Sequence, residues 1–350
     1  MKNKILLTLV MAILAVSCTQ KSTTDPVVLP LRENGIFVLN QGNFTYANAS
    51  FSYYNPDEQS VKQNVFYETN GVPLGDVAQS ITLQGDTAYL IINNSGFIYA
   101  INRHNGEFVG KITGFESPRQ MIFVNPNKAY VSDLYAHEIS VISPLTNEMI
   151  KRIPLGRSSE AMVLANSQVF VANWSDYNQT DENNVISVID TDMDQLIDTI
   201  HVGKEPNSMV VDTDGNLWVL CSGGYMNDEL PTLWKIDPVS RQVLLSASFP
   251  EIISNPTYLT IDRLHHELLF LNDGIFKMGI QDTTIPTQAF IPQGELNFYA
   301  LYAVPSTGEI YVSDAGNYLS NGWVYRYNPE GTEIDRFEAG IIPGAFRIND

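Results

Sequence analysis

The chain has 350 residues, a formal net charge of −19 and 44% hydrophobic residues. So acidic a balance argues against a nucleic-acid phosphate backbone as partner, and against anionic lipid contacted through the protein surface, because both need clustered Lys and Arg. It leaves neutral ligands open.

Residues 1–17 form the first segment. Lys2 and Lys4 precede an apolar run over residues 5–16 that is too short for a comfortable membrane span, so it reads as a secretory signal. Leu14-Ala15-Val16-Ser17-Cys18 resembles a bacterial lipobox, which implies cleavage before Cys18 and lipid on its thiol. Residues 18–34 are polar, then Pro-bearing, and read as a lipidated tether for a globular body over residues 35–350. The second cysteine, Cys221, then has no intramolecular partner and reads as a small buried hydrophobe. Stability must come from sheet packing, for which the body is long enough.

That body repeats. Residues 117–156 carry strand patterns at 120–124, 129–133, 139–143 and 149–153, each stopped by Pro, Asn or Gly. Four such strands cannot bury both faces alone, so copies must stack. The third strand recurs as FSYYNP, IYAIN, ISVISP, ISVID, LWKIDP, IFKM and VYRYNP, and the second recurs in step with it. The spacing, roughly 40 to 50 residues, suits propeller blades. The predicted fold is all-β, a seven-bladed β-propeller. The first unit opens at Gly35 on a second-type strand, while residues 340–348, GIIPGAFRI, are left over at the end. The C-terminal strand is therefore expected to close the first blade as its innermost strand, removing open sheet edges.

In a propeller the loops leading into the first strands and those joining second to third strands share one face. Here the second-to-third loops are long and rich in Asn, Asp and aromatic residues, whereas the opposite turns, such as VNPNK, DTDGN and PSTGE, are short. Loops on a rigid scaffold concentrate binding residues. The candidates on these loops are Asn40, Gln41, Asn43, Phe44, Tyr46, Asn93, Asn94, Asp133, Tyr135, Asn173, Trp174, Tyr177, Tyr225, Asn272, Asp314 and Tyr318. Amides offer paired donors and acceptors without charge, and the aromatics offer flat apolar area. The mixture suits a large, mostly neutral ligand bearing amides or hydroxyls. Part of the set is expected to be structural, since Asn and Asp at strand ends also satisfy turn backbone. Among the lead-ins to the innermost strands, Asp76, Arg119, Glu160, Asn207, Tyr258 and Tyr299 are placed around the channel mouth, where Arg119 is a candidate partner for Glu160 or for an anionic group on the ligand. Met121, Met162, Met209, Leu259, Leu301 and Phe346 recur at one register and read as core.

Other motifs are set aside. Asp190-Thr-Asp192-Met-Asp194 lacks the Gly and the final Glu of a calcium loop, so it reads as a hairpin turn. His265-His266 has no second pair at zinc spacing. No hydrolase, zincin or nucleotide-loop motif occurs, so no catalytic residue, metal or cofactor is assigned and the chain is not read as an enzyme.

The lipobox, the opening NQGNFTYANASFSYYNP, LGDVAQS, VYRYNPEG and the closing GIIPGAF together resemble the YncE-like surface propellers of Bacteroidetes, in particular the BtuG-type cobalamin-binding lipoproteins. The resemblance covers residues 35–348. It implies an outer-membrane, cell-surface lipoprotein, held to the membrane only through its lipid. It also implies that the protein captures cobalamin (vitamin B12) or another corrinoid as cargo and passes it to a BtuB-type TonB-dependent transporter. The alternatives are a surface propeller that binds a glycan or a protein, and a structural surface-layer component. A lactonase- or quinoprotein-type enzyme would need carboxylate ligands or a cofactor seat at the mouth, where Asp76 and Glu160 stand among mainly neutral residues.

Overall fold

The unit at residues 117–156 folds as its alternation requires. Strands Pro118–Asn125, Lys128–Asp133, Glu138–Ser143 and Glu148–Pro154 form one antiparallel sheet in chain order. The second and third strands are largely buried, while the fourth is mostly exposed. This gradient explains the sequence: Val, Ile and Tyr crowd the middle strands, and Lys151 and Arg152 sit on the outer one.

The computed structural model describes residues 30–174 and 183–350, and it holds seven four-stranded sheets in a ring with 2% helix. The expected all-β, seven-bladed propeller is the observed fold. Its innermost strands are Ala78–Gln84, Pro118–Asn125, Met162–Ala165, Pro206–Val211, Thr257–Asp262, Phe298–Ala303 and Pro343–Ile348. Each packs beside the next and together they line a central shaft. Residues 1–17, Cys18 and Tyr177 lie outside the described residues.

The ring closes as anticipated. Pro343–Ile348 pairs antiparallel with Ile36–Asn40, setting Ile36 opposite Ile348 and Leu39 opposite Ala345. The buried Asn40 side chain accepts from Gly340 N (2.9 Å) and donates to Ser52 Oγ (2.9 Å). Asn349 Nδ2 donates to the carbonyls of Leu31 (3.1 Å) and Arg32 (3.0 Å), tying the two chain ends together. Across the seam between last and first blades, Tyr54 stacks on Phe337 at 4.0 Å and donates its phenol proton to Asp335 (2.6 Å). Burial, and then that carboxylate, push the Tyr54 phenol upward.

The core is a set of inter-blade layers. Trp218 is fully buried and donates Nε1–H to Asp212 Oδ2 (2.8 Å), so its polar tip is satisfied inside the stack. Cys221 is buried, and burial pushes its thiol upward, away from reactivity. Residues 190–194 form the expected hairpin turn, with Asp190 Oδ1 accepting from Asp192 N and Met193 N (both 2.9 Å).

A six-residue helix, Val65–Asn70, is not signalled by the repeat pattern. The outer strand of the first blade is only Ser60–Lys62, and the helix supplies the missing cover by burying Val65 and stacking Phe66 on Tyr99 at 4.8 Å.

Candidate functional site

The lead-in and second-to-third loops converge on one end of the shaft around a cavity of about 1170 Å³. Drug-sized ligands occupy roughly 300–1,000 Å³, so the space suits something larger. Its wall changes character around the ring.

On one side stands an arc of tyrosines. Tyr258 and Tyr299 have ring centroids 6.3 Å apart, and Tyr299 meets Tyr318 edge-on at 6.0 Å. Tyr299 donates to Gln41 Oε1 (2.8 Å), Tyr318 to Asn297 Oδ1 (3.3 Å) and Tyr258 to the Gly344 carbonyl (3.3 Å). Burial raises the phenols of Tyr258 and Tyr299, which stay neutral donors at physiological pH. Gly344 leaves room for this arrangement: a Cβ there would come within 2.6 Å of the Gln41 side chain.

On the other side an arginine bridges three blades. Arg119 Nε donates to Glu160 Oε2 (2.6 Å), Nη1 donates to Gln79 Oε1 (3.0 Å), and the guanidinium lies 5.6 Å from the Trp174 ring centre. The Arg119–Glu160 pairing anticipated from sequence is present, with both side chains largely buried. Between the arcs, Asn207 Nδ2 donates to the Pro256 carbonyl (2.9 Å) and couples the fifth blade to the sixth.

The charges lining the cavity among the described residues are Arg119, Arg347, Glu160 and Asp273, which cancel. A chain of net charge −19 thus encloses a locally neutral space.

Of the candidates named from sequence, Gln41, Phe44, Asn93, Arg119, Trp174, Tyr258, Asn272 and Tyr318 line this cavity. The others do not. Tyr46, Tyr135 and Tyr225 project into solvent outside it, and Asn43 donates to the Tyr318 carbonyl (2.6 Å), bracing one loop against another. Asn40, Asp133, Asn173 and Asp314 form a recurrent fastening device. Asp133 accepts from Glu116 N (2.9 Å) and Ser117 N (2.9 Å), Asp314 accepts from Asn297 N (2.9 Å), and Asn173 donates to Ser158 Oγ (2.9 Å). Asn40 works across the ring closure by accepting from Gly340 N, whereas in the other three the end of the second strand pins the lead-in to its own innermost strand, some 15 to 17 residues earlier. Asn272, though at the cavity, does the same by accepting from Asn255 N (3.2 Å). Cys221 occupies the equivalent place, against Gly203. Asn94 donates to Asp76 Oδ2 (2.6 Å), and that carboxylate also accepts from Thr45 N (2.9 Å). Asp76 is therefore a loop anchor, not the cavity residue expected of it. Met121, Met162, Met209, Leu259, Leu301 and Phe346 are buried core that also forms the shaft wall.

Sequence reading missed Gln79, Gln120, Gln293, Asp273 and Arg347, all at the cavity. The first two follow the lead-ins directly, and their polarity inside apolar innermost strands was the available signal. It also missed backbone strain. Val77, Glu205 and Ile342 each precede an innermost strand with φ between +53° and +57°, and Tyr258 lies at φ +54°. A β-branched residue there is a genuine outlier, and such strain gathers where structure serves binding.

Asp262, His265 and Glu267 bring potential ligand atoms within 4.8 Å of one another. His265 Nδ1 is 2.6 Å from Asp262 Oδ2, and Lys277 Nζ is 3.0 Å from Glu267, so the cluster satisfies its own charges. It sits on a turn of the plain face.

Fold and cavity together define a β-propeller with a single ornamented mouth. The chain belongs to the family described as a domain of unknown function (DUF5074), which it matches over residues 34–339. No curated protein matches it. Among solved structures it is similar to a quinonprotein alcohol dehydrogenase-like protein from Bacteroides thetaiotaomicron: 15% identity, 92% of this chain and 79% of that chain covered, TM-score 0.72. It is also similar to virginiamycin B lyase from Staphylococcus aureus (13% identity, 78% and 92% covered, TM-score 0.61). Hydrazine synthase from Kuenenia stuttgartiensis is a further neighbour (14% identity, 77% and 88% covered, TM-score 0.56). At such identities the likeness is one of fold alone.

Proposed function

We propose that the protein is a surface lipoprotein of the outer membrane that binds cobalamin or a related corrinoid at its central cavity and passes it to a TonB-dependent transporter. The observation carrying this reading is the cavity: about 1170 Å³, walled by amides and aromatics, with cancelling charges in an otherwise strongly acidic chain. A corrinoid is broad, neutral overall and fringed with amides, so it needs many uncharged donors and acceptors and flat apolar surface. Arg119, Tyr299 and Tyr318 are already held by neighbours from other strands and loops. A mouth ordered before binding avoids much of the entropic cost of association. The corrinoid is cargo, and the reading is of a binder, not a catalyst, since Glu160 is engaged by Arg119. Lipid on Cys18 would supply the membrane attachment; no helix among the described residues is long and apolar enough to cross a membrane.

The test is calorimetric titration of the lipid-free protein with cyanocobalamin, with gel filtration of the mixture. One-to-one binding with co-elution is expected, and absence of both heat and co-elution removes the reading. A glycan or protein partner is the second reading, favoured by Tyr46 and Tyr225, which stand 73% and 85% exposed beyond the cavity. Retention on polysaccharide but not on immobilised cobalamin would select it.

A further inference from the structure

We propose that Arg347 forms an anion subsite on the shaft wall below the mouth of the cavity, taking a carboxylate or phosphodiester carried by the bound ligand. The inference rests on reading this cavity as a ligand site, and not on the ligand being a corrinoid.

Strand Pro343–Ile348 starts at the mouth, where Gln41 N donates to the Ile342 carbonyl (2.8 Å), and runs down the shaft. At about 3.3 Å per residue, Arg347 sits about 13 Å below Pro343. Thr82 and Thr260, three or four residues into their own innermost strands, line the cavity with it.

The two cavity arginines differ in what surrounds them. Arg119 is spent on Glu160 and Gln79. The Arg347 guanidinium has no ion-pair partner among the described residues, and its Nε is buried without an acceptor. That nitrogen is closed off from the cavity, which leaves the Nη groups of this half-buried lining residue, with their uncompensated charge, as what the wall offers an anionic group. A guanidinium fork is matched to a planar carboxylate or to two phosphate oxygens. The acidity of the whole chain does not prevent this. Its field is screened within about 8 Å at physiological salt, so pairing at contact decides inside the shaft.

Two measurements test it on wild type, Arg347→Met and Arg347→Lys, each first checked for native circular dichroism. In the first, thermal unfolding is compared in inorganic phosphate and in sodium chloride at equal ionic strength. Phosphate is expected to raise the Tm of wild type by about 2 °C more than that of Arg347→Met, with Arg347→Lys between them. Equal shifts in wild type and Arg347→Met overturn the subsite. In the second, cyanocobalamin is titrated beside dicyanocobinamide, which lacks the phosphodiester arm. Arg347→Met is expected to weaken the first at least tenfold and the second less than twofold. If the phosphate effect holds while both corrinoids weaken equally, the phosphodiester assignment is overturned, because the group then lost is common to both. If it holds while neither corrinoid binds, the subsite stands and the corrinoid reading falls.

Discussion

Arg119 holds three blades with one side chain, and its energetics follow from burial. Removing one member of a buried pair leaves the other charged and unsolvated, at a cost of about 3–5 kcal/mol when burial is complete. Arg119 and Glu160 retain 14% and 10% side-chain exposure, so Arg119→Gln is expected to cost about 2–3 kcal/mol in urea unfolding. Adding Glu160→Gln should recover most of that loss, because the stranded carboxylate is gone. Asp194 shows the same physics as a pH effect. Burial alone would raise its carboxyl, but Lys128 Nζ at 2.8 Å and the Tyr130 phenol outweigh that and hold it below its ordinary 3.8. A depressed folded pKa contributes stability that is present above the unfolded value and is lost as pH falls through the folded one. Asp194→Asn should therefore lower the urea midpoint at pH 7, and the difference from wild type should shrink at and below about pH 4.

Among elements, the terminal strand carries the greatest consequence. Pro343–Ile348 is the innermost member of the first blade and a wall of the shaft. Deleting residues 341–350 uncovers the edge of Ile36–Asn40 and removes the Asn349 tie. Loss of the sharp thermal transition by circular dichroism is expected, where trimming an ordinary tail leaves it intact. The lead-ins behave oppositely. Val77 sits at φ +57°, a strain of about 1–3 kcal/mol for such a residue, while glycine there costs about 0.5–1 kcal/mol in chain entropy. Val77→Gly should thus be about 1 kcal/mol more stable, read as a Tm about 2 °C higher.

For the molecule as a whole, the telling contrast lies between an acidic exterior and a balanced cavity. A neutral ligand held there gains little from long-range steering. Cyanocobalamin affinity is accordingly expected to change by less than about twofold between 50 and 500 mM sodium chloride, because exposed charges are the ones that salt screens. A steep salt dependence in the calorimeter would contradict this. The described chain begins beside the turn face opposite the mouth, with Leu31 N donating to the His104 carbonyl (2.7 Å).

Strand periodicity, the number of blades and closure by GIIPGAF were legible from residue order alone, because alternation, turn chemistry and a missing first strand are local properties. The decorated face was legible too, from loop length. Which polar side chains serve ligand and which serve the scaffold was decided only by tertiary structure. Asn93 and Asn173 look alike at their strand ends, yet Asn93 lines the cavity while donating to Ser117 Oγ (2.8 Å) in the next blade's lead-in, and Asn173 fastens Ser158 in its own blade. An amide satisfies backbone or ligand with the same atoms, and the partner's place depends on how each blade meets its own lead-in. Arg347 drew no notice as one residue of a terminal strand; it became a cavity arginine because seven innermost strands converge to make a wall.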